Sequence, residues 1–239
     1  MNAATVIALI DLDDTILDYR REEDAAADHL RDQLSIARDV WDPAYRDAKV
    51  LERETRTYSG DPLLRRFELL ADRLEILGAE PPELRQLYVA FRRRFVSLLP
   101  GARATLGELR RLVNLIYICT SGVGEVQRDR CRAAGLTPLV DGIAVSDDLG
   151  LEKSDWPGFL GSRYEPGAHY LVVSDQVEPD LIAAERLGMA TISFGSLRPF
   201  DNHGGFVPRM HARSHNELAL WLRGVESPAL LRSWIQERN

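Results

Sequence analysis

A short apolar strand that ends in acidic residues is the feature that most constrains the fold of this chain. Residues 5–10, TVIALI, are rich in β-branched residues and lack polar alternation, so they predict a buried strand. Asp11, Asp13 and Asp14 follow it directly. So much negative charge at a strand end has two explanations, a cluster of turn-forming or capping residues and a functional site.

Strands and helices alternate over the second half of the chain. Apolar runs typical of buried strands cover residues 113–119, 139–146, 169–174 and 189–194, and helical patterns lie between them. Strands that alternate with helices predict a parallel sheet with helices on both faces. The fold class that we expect is therefore α/β, with a Rossmann-like, doubly wound parallel sheet as its core.

A block of almost purely helical pattern separates the first strand from this alternating region. One of its helices is predicted to begin at Asp42–Pro43, because proline suits the first turn of a helix. The interruption predicts an α/β core domain formed by residues 1–18 and 100–239, with an inserted α-helical domain over residues 19–99.

Polar residues cluster where the predicted strands end. In open α/β sheets, ligands bind at the carboxyl ends of the strands. The residues at or near these ends that carry hydroxyl, carboxylate or ammonium groups, or that form a turn, are Asp11, Asp13, Thr120, Ser121, Gly122, Lys153, Asp175 and Asp180. We expect the topology to bring them to one edge of the sheet.

Charge and hydropathy limit the classes of partner. The net charge of −7 argues against nucleic acid, which favours a basic surface. No apolar stretch approaches the roughly 20 residues of a membrane span, and the N-terminal residues lack the basic start of a signal peptide. Cys119 and Cys131 are too few for a disulfide framework. These features predict a cytoplasmic protein, a monomer or homodimer, that binds neither nucleic acid nor membranes.

Four motifs in this order resemble those of the haloacid dehalogenase-like superfamily, in the branch with a helical cap after the first strand. DLDDT, residues 11–15, matches the family's Asp-x-Asp-x-Thr, and YICTSG, residues 117–122, matches its apolar strand ending in Thr or Ser. Lys153 matches the lone lysine, and VVSDQVEPD, residues 172–180, matches the acidic fourth motif. The resemblance spans about residues 5–194, and it makes residues 19–99 the cap.

The chain departs from the family pattern at three positions. Ser121, Ser154 and Ser174 stand where the family often has Asn, Pro and Gly, respectively. None of these differences removes a charged group or a nucleophile. They could alter how the backbone holds phosphate or how a substrate is contacted.

The resemblance implies phosphoryl transfer through two aspartates. Asp11 would be the nucleophile that forms an aspartyl-phosphate. Asp13 would be the general acid and base, which protonates the leaving oxygen and then activates water. Dehalogenases in the superfamily lack this second aspartate because they have no ester oxygen to protonate. Asp13 therefore favours a phosphatase over a haloacid dehalogenase.

The resemblance also implies a metal and a phosphate site. Mg²⁺ would neutralise charge between Asp11 and the phosphate, and it suits oxygen ligands. The implied ligands are the Asp11 carboxylate, the backbone carbonyl of Asp13 and the Asp175 carboxylate, with Asp180 acting through water or by orienting its neighbours. The phosphoryl oxygens would be held by Thr120, Ser121, Gly122 and Lys153.

Other functions on this scaffold stay open at the level of sequence. A phosphomutase or phosphotransferase would return the phosphoryl group to a substrate instead of water, and a non-catalytic binding protein would lack turnover. We expect a phosphatase acting on a small phosphorylated metabolite, because a helical cap closes over a site and excludes water. Candidate substrate contacts are Tyr19, Arg20, Arg56 and Tyr58.

Two further features favour structural explanations. The run FRRRF, residues 91–95, predicts a solvated helix face with Phe91 and Phe95 buried four residues apart. His211 and His215 lie four residues apart, but a helix is predicted to begin between them at Ser214, so we predict no metal site and expect both residues at the surface.

Overall fold

A parallel sheet of six strands forms the centre of the computed structural model, which describes residues 4–54, 61–74, 80–195 and 206–237. The strands are β1 (Val6–Asp11), β2 (Leu115–Thr120), β3 (Gly142–Val145), β4 (His169–Ser174), β5 (Ala190–Phe194) and β6 (Met210–Ala212). Their order is β3-β2-β1-β4-β5-β6, and every pairing is parallel. The chain extends the sheet first on one side of β1 and then on the other, which confirms the predicted doubly wound α/β fold.

β1 is buried on both faces, and this explains its unbroken apolar sequence. All six of its residues are buried. Ile7 and Leu9 pack into one apolar cluster, whereas Ala8 and Ile10 pack into a second, because successive side chains of a strand point to opposite faces. Since β2 and β4 pair with β1 in parallel on either side, the carboxyl ends of all three strands meet at one edge.

Four helices lie between β1 and β2. They are α1 (Tyr19–Gln33), α2 (Arg38–Glu54), α3 (Pro62–Leu74) and α4 (Pro81–Phe95). Their inward faces form an apolar cluster of their own, which includes the buried side chains of Trp41, Phe67, Leu70 and Tyr88. We call these four helices the helical insert. Its assignment as a separate domain over residues 19–99 stays a prediction.

Helix α2 begins earlier than the sequence predicted. It starts at Arg38, so Pro43 lies inside the helix and not in its first turn. Pro43 has no N–H to donate to the carbonyl of Asp39, which costs the helix one hydrogen bond. The prediction was wrong because Trp41 and Ala44, both buried in the apolar cluster of the insert, anchor this part of the helix.

Helices cover both faces of the sheet. The remaining helices are α5 (Ala102–Leu112), α6 (Gly124–Ala133), α7 (Ser146–Leu149), α8 (Trp156–Leu160), α9 (Ile182–Arg186), α10 (His215–Gly224) and α11 (Pro228–Gln236). Helices α5, α10 and α11 pack on one face through Leu106, Leu218 and Leu231. Helices α8 and α9 pack on the other through Trp156 and Ala184. No helix within the described ranges is long and apolar enough to cross a membrane.

The two connections between the insert and the sheet run side by side. Leu17 and Leu98 form an antiparallel bridge. The backbone N–H of Asp18 donates to the carbonyl of Ser97 at 3.0 Å, and that of Leu99 donates to the carbonyl of Ile16 at 2.8 Å. The insert therefore leaves and rejoins the core at one place, directly after the acidic loop of β1.

Truncating the central strand should cost much more stability than truncating a helix surface. Leu9 is fully buried in β1, whereas the side chain of Leu220 on α10 is 69% exposed. We expect Leu9→Ala to lower the free energy of unfolding by about 2–5 kcal/mol, and Leu220→Ala to change it by about 0.5 kcal/mol or less. Urea denaturation of the two variants measures the difference, and equal losses would contradict the central position of β1.

Candidate active site

The loop after β1 places Asp11 and Asp13 at the carboxyl edge of the sheet. Asp11 is the last residue of β1 and is only 4% exposed. The chain then turns sharply, and the backbone N–H of Leu17 donates to the carbonyl of Leu12 at 2.9 Å. Asp14 has a left-handed φ of 57°, a conformation that Asp accepts more readily than most residues. Asp14 is thus a turn residue beside the two aspartates of the motif.

Thr15 joins the loop after β1 to the loop after β4. Its hydroxyl donates a hydrogen bond to Asp11 Oδ2 at 3.2 Å and accepts one from the backbone N–H of Asp175 at 3.0 Å. Thr15 is fully buried. One side chain therefore fixes the orientation of the Asp11 carboxylate and the position of the fourth-motif loop together.

A buried ammonium group lies between two carboxylates at the same edge. Lys153 is 3% exposed, and its Nζ lies 2.6 Å from Asp11 Oδ1 and 2.5 Å from Asp180 Oδ2. Ser174 Oγ also donates to Asp180 Oδ2, at 2.8 Å. Burial alone lowers the pKa of Lys153, but Asp11 and Asp180 together raise it above its ordinary value. Lys153 is therefore a fixed cation at this edge.

The surroundings of Asp11 are rich in negative charge. The pKa of Asp11 is raised to about 7, chiefly by burial and to a smaller extent by the charges of Asp180 and Asp175, against the opposing effect of Lys153. Two carboxylates, those of Asp11 and Asp180, thus share one ammonium group, and the negative charge of Asp175 also acts on Asp11. A second cation at this edge would stabilise the ionised form of Asp11.

The loop after β2 adds hydroxyl and backbone groups. Thr120 is 1% exposed, and its Oγ1 accepts a hydrogen bond from Gln127 Nε2 at 3.0 Å. The same Gln127 nitrogen donates to the carbonyl of Ser121 at 2.5 Å. Gly122 has a φ of 114°, which side chains rarely permit, and an added Cβ would lie 3.2 Å from Gln127 Nε2. Gln127 therefore stabilises the loop after β2 through its hydrogen bonds to Thr120 and Ser121.

One cavity of about 800 Å³ brings these groups together with the helical insert. The residues that the strand ends contribute to its lining are Asp11, Asp13, Thr120, Ser121, Gly122, Lys153 and Asp175. Asp180 does not line the cavity, because it is fully buried behind Lys153. Of the predicted substrate contacts, Tyr19 and Arg20 line the cavity. Arg56 and Tyr58 lie outside the described residues.

The wall that the insert contributes is lined by paired charges. Arg66 Nη1 lies 3.0 Å from Glu23 Oε1, and Arg66 Nη2 lies 2.6 Å from Glu52 Oε2. Lys49 Nζ lies 2.5 Å from the second carboxylate oxygen of Glu23. The Arg66 side chain is 8% exposed and those of Glu23 and Glu52 are 3% and 9% exposed, so the pairs are held within the protein. A ligand in this cavity meets a polar wall whose charges are already balanced.

Sequence reasoning missed several of these charged residues. The run FRRRF was expected to be a solvated face, but Arg92 is 7% exposed and its Nε donates to Glu22 Oε1 at 2.8 Å. Phe91 is buried as predicted, whereas Phe95 is 36% exposed. The prediction holds for Arg93 and Arg94, which are exposed, and is wrong for Arg92. Arg92, together with Tyr88 one turn earlier, faces the interior of the insert, where Glu22 neutralises its charge.

The oxygen atoms at the sheet edge fit Mg²⁺. Among the residues that the structure describes, no three His, Cys, Asp or Glu side chains are placed to hold a metal together. The predicted ligand set needs only two side chains, because it combines the carboxylates of Asp11 and Asp175 with the backbone carbonyl of Asp13. All three are hard oxygen donors of the kind that Mg²⁺ prefers. The surplus of carboxylates over ammonium groups provides the charge that such a cation would balance.

His215 is buried, contrary to the sequence-based expectation. It is 1% exposed, and its Nε2–H donates to the carbonyl of Thr15 at 2.7 Å. The Thr105 hydroxyl donates to the backbone carbonyl of His215 at 3.1 Å, and its oxygen lies 3.1 Å from Nδ1 of the ring. The expectation failed because the ring replaces a solvent contact with an internal hydrogen bond, which supports the loop of Asp11 from the α10 side. His211 is only partly buried, in β6.

Comparison with known proteins finds similarity over most of the chain. A family model described as haloacid dehalogenase-like hydrolase matches residues 6–188. The HAD-hydrolase YfnB of Bacillus subtilis is 28% identical over 200 residues, which cover 77% of this chain and 81% of YfnB. The magnesium-bound crystal structure of YfnB superimposes with a TM-score of 0.70 at 25% identity, covering 92% of this chain and 99% of YfnB.

Two other proteins are similar to this chain, one in sequence and one in fold. The phosphoserine phosphatase of Thermus thermophilus is 34% identical over 145 residues, 57% of each chain. The L-2-haloacid dehalogenase of Xanthobacter autotrophicus superimposes with a TM-score of 0.61, covering 91% of this chain and 98% of the dehalogenase. Its sequence identity of 19% shows a shared fold and nothing more.

The buried ring of His215 should make the fold sensitive to acid. Burial lowers the pKa of His215 to about 4, so the unfolded chain binds a proton more readily below the ordinary pKa of about 6.5. The stability that the neutral ring provides is complete above about pH 6.5 and falls towards pH 4, by up to about 3 kcal/mol. Urea denaturation at pH 7.5, 6 and 5 measures this loss.

His215→Gln should reduce the loss of stability at low pH, and the exposed His29→Gln should leave that loss unchanged. An equal decrease of the free energy of unfolding with falling pH in the wild type and in both variants would contradict the prediction for His215.

Proposed function

Because the chain belongs to the haloacid dehalogenase-like hydrolases, as its four motifs predicted, we propose that it is a Mg²⁺-dependent phosphatase of small phosphomonoesters. The observation that carries this proposal is the cavity that Asp11, Asp13, Thr120 and Lys153 line together. These groups supply a nucleophile, an acid and base, a phosphate contact and a fixed cation. The named phosphoserine phosphatase among the similar proteins supports the same substrate class.

Asp11 would act as the nucleophile. Thr15 and Lys153 each hold one of its carboxylate oxygens, so the carboxylate has a fixed orientation. In the first step an Asp11 oxygen bonds to phosphorus, and the ester P–O bond breaks with its electron pair on the leaving oxygen. In the second step water bonds to phosphorus, the aspartyl P–O bond breaks, and inorganic phosphate and the free carboxylate result.

Asp13 would act as the general acid and base. It lines the same cavity, and its side chain is 24% exposed, so both a substrate and water can reach it. In the first step it gives its proton to the leaving oxygen, and in the second it takes one from the attacking water. The protonated Asp13 that remains is ready for the next substrate.

The phosphoryl group needs positive charge around it. Lys153 and the Thr120 hydroxyl, with backbone N–H groups of Ser121 and Gly122, would hold its oxygens. Mg²⁺, when held by Asp11, Asp175 and the carbonyl of Asp13, supplies charge neutralisation between the nucleophile and the phosphate. Asp180 points at Lys153 and Ser174, so we assign it the orientation of Lys153 and not direct metal binding.

The second aspartate favours a phosphatase over a dehalogenase. A carbon–halogen bond yields halide, which leaves without a proton, so a dehalogenase has no use for an acid at position 13. Here Asp13 is retained and faces the cavity. The similarity to haloacid dehalogenases extends to the fold alone.

The helical insert would act as the cap that selects the leaving group. Tyr19 and Arg20 are its proposed substrate contacts, since both line the cavity. The wall formed by Arg66 with Glu23 and Glu52 presents paired charges, which favour a hydrophilic leaving group over an apolar one. A small phosphorylated metabolite fits this wall.

Replacing the nucleophile should abolish hydrolysis. We expect wild type to release p-nitrophenolate from p-nitrophenyl phosphate only with Mg²⁺, and Asp11→Asn to lower kcat by roughly 10³-fold or more, because the neutral amide cannot attack phosphorus. The exposed Asp72→Asn, which makes the same chemical change on α3, should retain activity. Rates are measured by absorbance, and a panel of small phosphate esters then defines the substrate.

Two results would count against the proposal. Persisting activity in Asp11→Asn would exclude Asp11 as the nucleophile. Activity that is unchanged by chelation of divalent cations would exclude the metal-dependent mechanism while leaving the phosphatase assignment in place.

A further inference from the structure

We propose that Arg130 is a positioning residue, which orients the Asp13 carboxylate and ties it to the helical insert through Glu22. Arg130 lies on α6, the helix that follows the loop of Thr120. The inference rests on the proposed function, because Asp13 transfers a proton only if the chain hydrolyses phosphate esters. No motif in the sequence covers Arg130 or Glu22.

The guanidinium of Arg130 is enclosed by oxygen atoms. Its side chain is 2% exposed. Nε and Nη2 donate to the two carboxylate oxygens of Glu22, each at 2.7 Å, as a bidentate pair. Nη2 also forms an ion pair with Asp13 Oδ1 at 2.7 Å, and Nη1 donates to Gln127 Oε1 at 2.5 Å. Every nitrogen of the group therefore contacts an oxygen atom on a defined partner.

Only arginine can make this set of contacts. Its planar fork meets both oxygens of Glu22 while it reaches Asp13, whereas the ammonium of a lysine is a single point of charge. The ring of Tyr19 lies 5.7 Å from the guanidinium carbon and limits its movement. Because the group is buried, water does not compete for these contacts, and the geometry is held firmly.

Glu22 links the same guanidinium to the attachment points of the insert. Glu22 lies in the first turn of α1, and its Oε1 also accepts from Nε of Arg92, in the last turn of α4, at 2.8 Å. These two turns adjoin the two connections to the sheet. Arg130 thus contacts the insert where it joins the core, so the position of the insert and the orientation of Asp13 depend on one side chain.

This arrangement leaves one oxygen of Asp13 for chemistry. Arg130 holds Oδ1, while Oδ2 has a weak contact with Gln127 Nε2 at 3.5 Å. A general acid must point its proton at the leaving oxygen, and a misdirected carboxyl group loses most of its effect. Because Oδ1 is buried beside Arg130 while the Asp13 side chain is 24% exposed, Oδ2 is the oxygen that a substrate in the cavity can reach.

Two phosphate esters of nearly the same shape distinguish positioning from a purely structural role. p-Nitrophenolate leaves readily without a proton, whereas phenolate depends more on protonation by the acid. We expect Arg130→Met to lower kcat/KM for phenyl phosphate roughly tenfold more than for p-nitrophenyl phosphate. kcat/KM is the right quantity because it reports the steps up to departure of the first product.

A double-mutant comparison tests whether Arg130 acts through Asp13. In an Asp13→Asn background, Arg130→Met should have no further effect on the ratio of the two kcat/KM values. Glu22→Gln should change the ratio in the same direction as Arg130→Met and by less, because one half of the bidentate pair remains. Arg130→Lys should recover part of the loss. Arg132→Met, on the same helix with a 65% exposed side chain, should leave both rates unchanged.

Loss of the fold is controlled separately. Thermal unfolding and near-ultraviolet circular dichroism establish that each variant is folded at the assay temperature. If Arg130→Met alone does not fold, the double variant Arg130→Met with Glu22→Gln is used, because it removes one charge of each sign. The ratio of kcat/KM for the two esters is then measured in this double variant.

The outcomes separate the inference from the function on which it rests. The inference is supported if Arg130→Met loses more kcat/KM for phenyl phosphate than for p-nitrophenyl phosphate, and if this difference disappears in the Asp13→Asn background. Equal losses for both esters, or an undiminished effect in Asp13→Asn, would overturn it and leave Arg130 as a structural brace in an active phosphatase. Failure of Mg²⁺-loaded wild type to hydrolyse either aryl ester or any member of the panel of small phosphate esters would instead overturn the proposed function.

Discussion

The ammonium of Lys153 allows carboxylates from separate parts of the chain to lie together inside the protein. Asp11 ends β1 and Asp180 follows β4, and both face the same buried nitrogen at hydrogen-bonding distance. Without that cation, two buried carboxylates would repel each other across a region of low polarity, at a high desolvation cost. Thr15 and Ser174 then fix which carboxylate oxygen faces the ammonium. The geometry at the edge of the sheet depends on this cluster.

Regular features of the fold could be read from the sequence, and irregular ones could not. Unbroken apolar runs predicted β1 and β4 because a central parallel strand is buried on both faces. β6 has only three residues, and α7 and α8 have four and five, so none is long enough to show a period. The helical pattern between β4 and β5 forms an α-helix only from Ile182, because Glu178 precedes a proline and takes a non-helical conformation.

The motif residues could be found from the sequence because they are polar groups that follow apolar strands. The residues that support them stand in helices, where only their spacing from buried apolar residues indicates that they face inward. Glu22 lies four residues before the buried Ala26, and Arg66 lies three residues after the buried Leu63. A charged residue on the apolar stripe of a helix is a signal for a buried ion pair, but its partner on another helix is set by tertiary packing. Arg130 illustrates this limit, since Glu22 is 108 residues away in the sequence.

The side-by-side connections of the helical insert also bear on how such a protein can change over evolutionary time. The segments near Leu17 and Leu98 are joined by backbone hydrogen bonds. At the edge of the sheet, the whole insert therefore replaces what could be a single short loop. An insert of different length or helix number could be exchanged there without altering the register of any strand. The edge of the sheet and the wall of the cavity that the insert supplies can therefore diversify separately, with the Glu22–Arg130 contact among those that a replacement would have to rebuild.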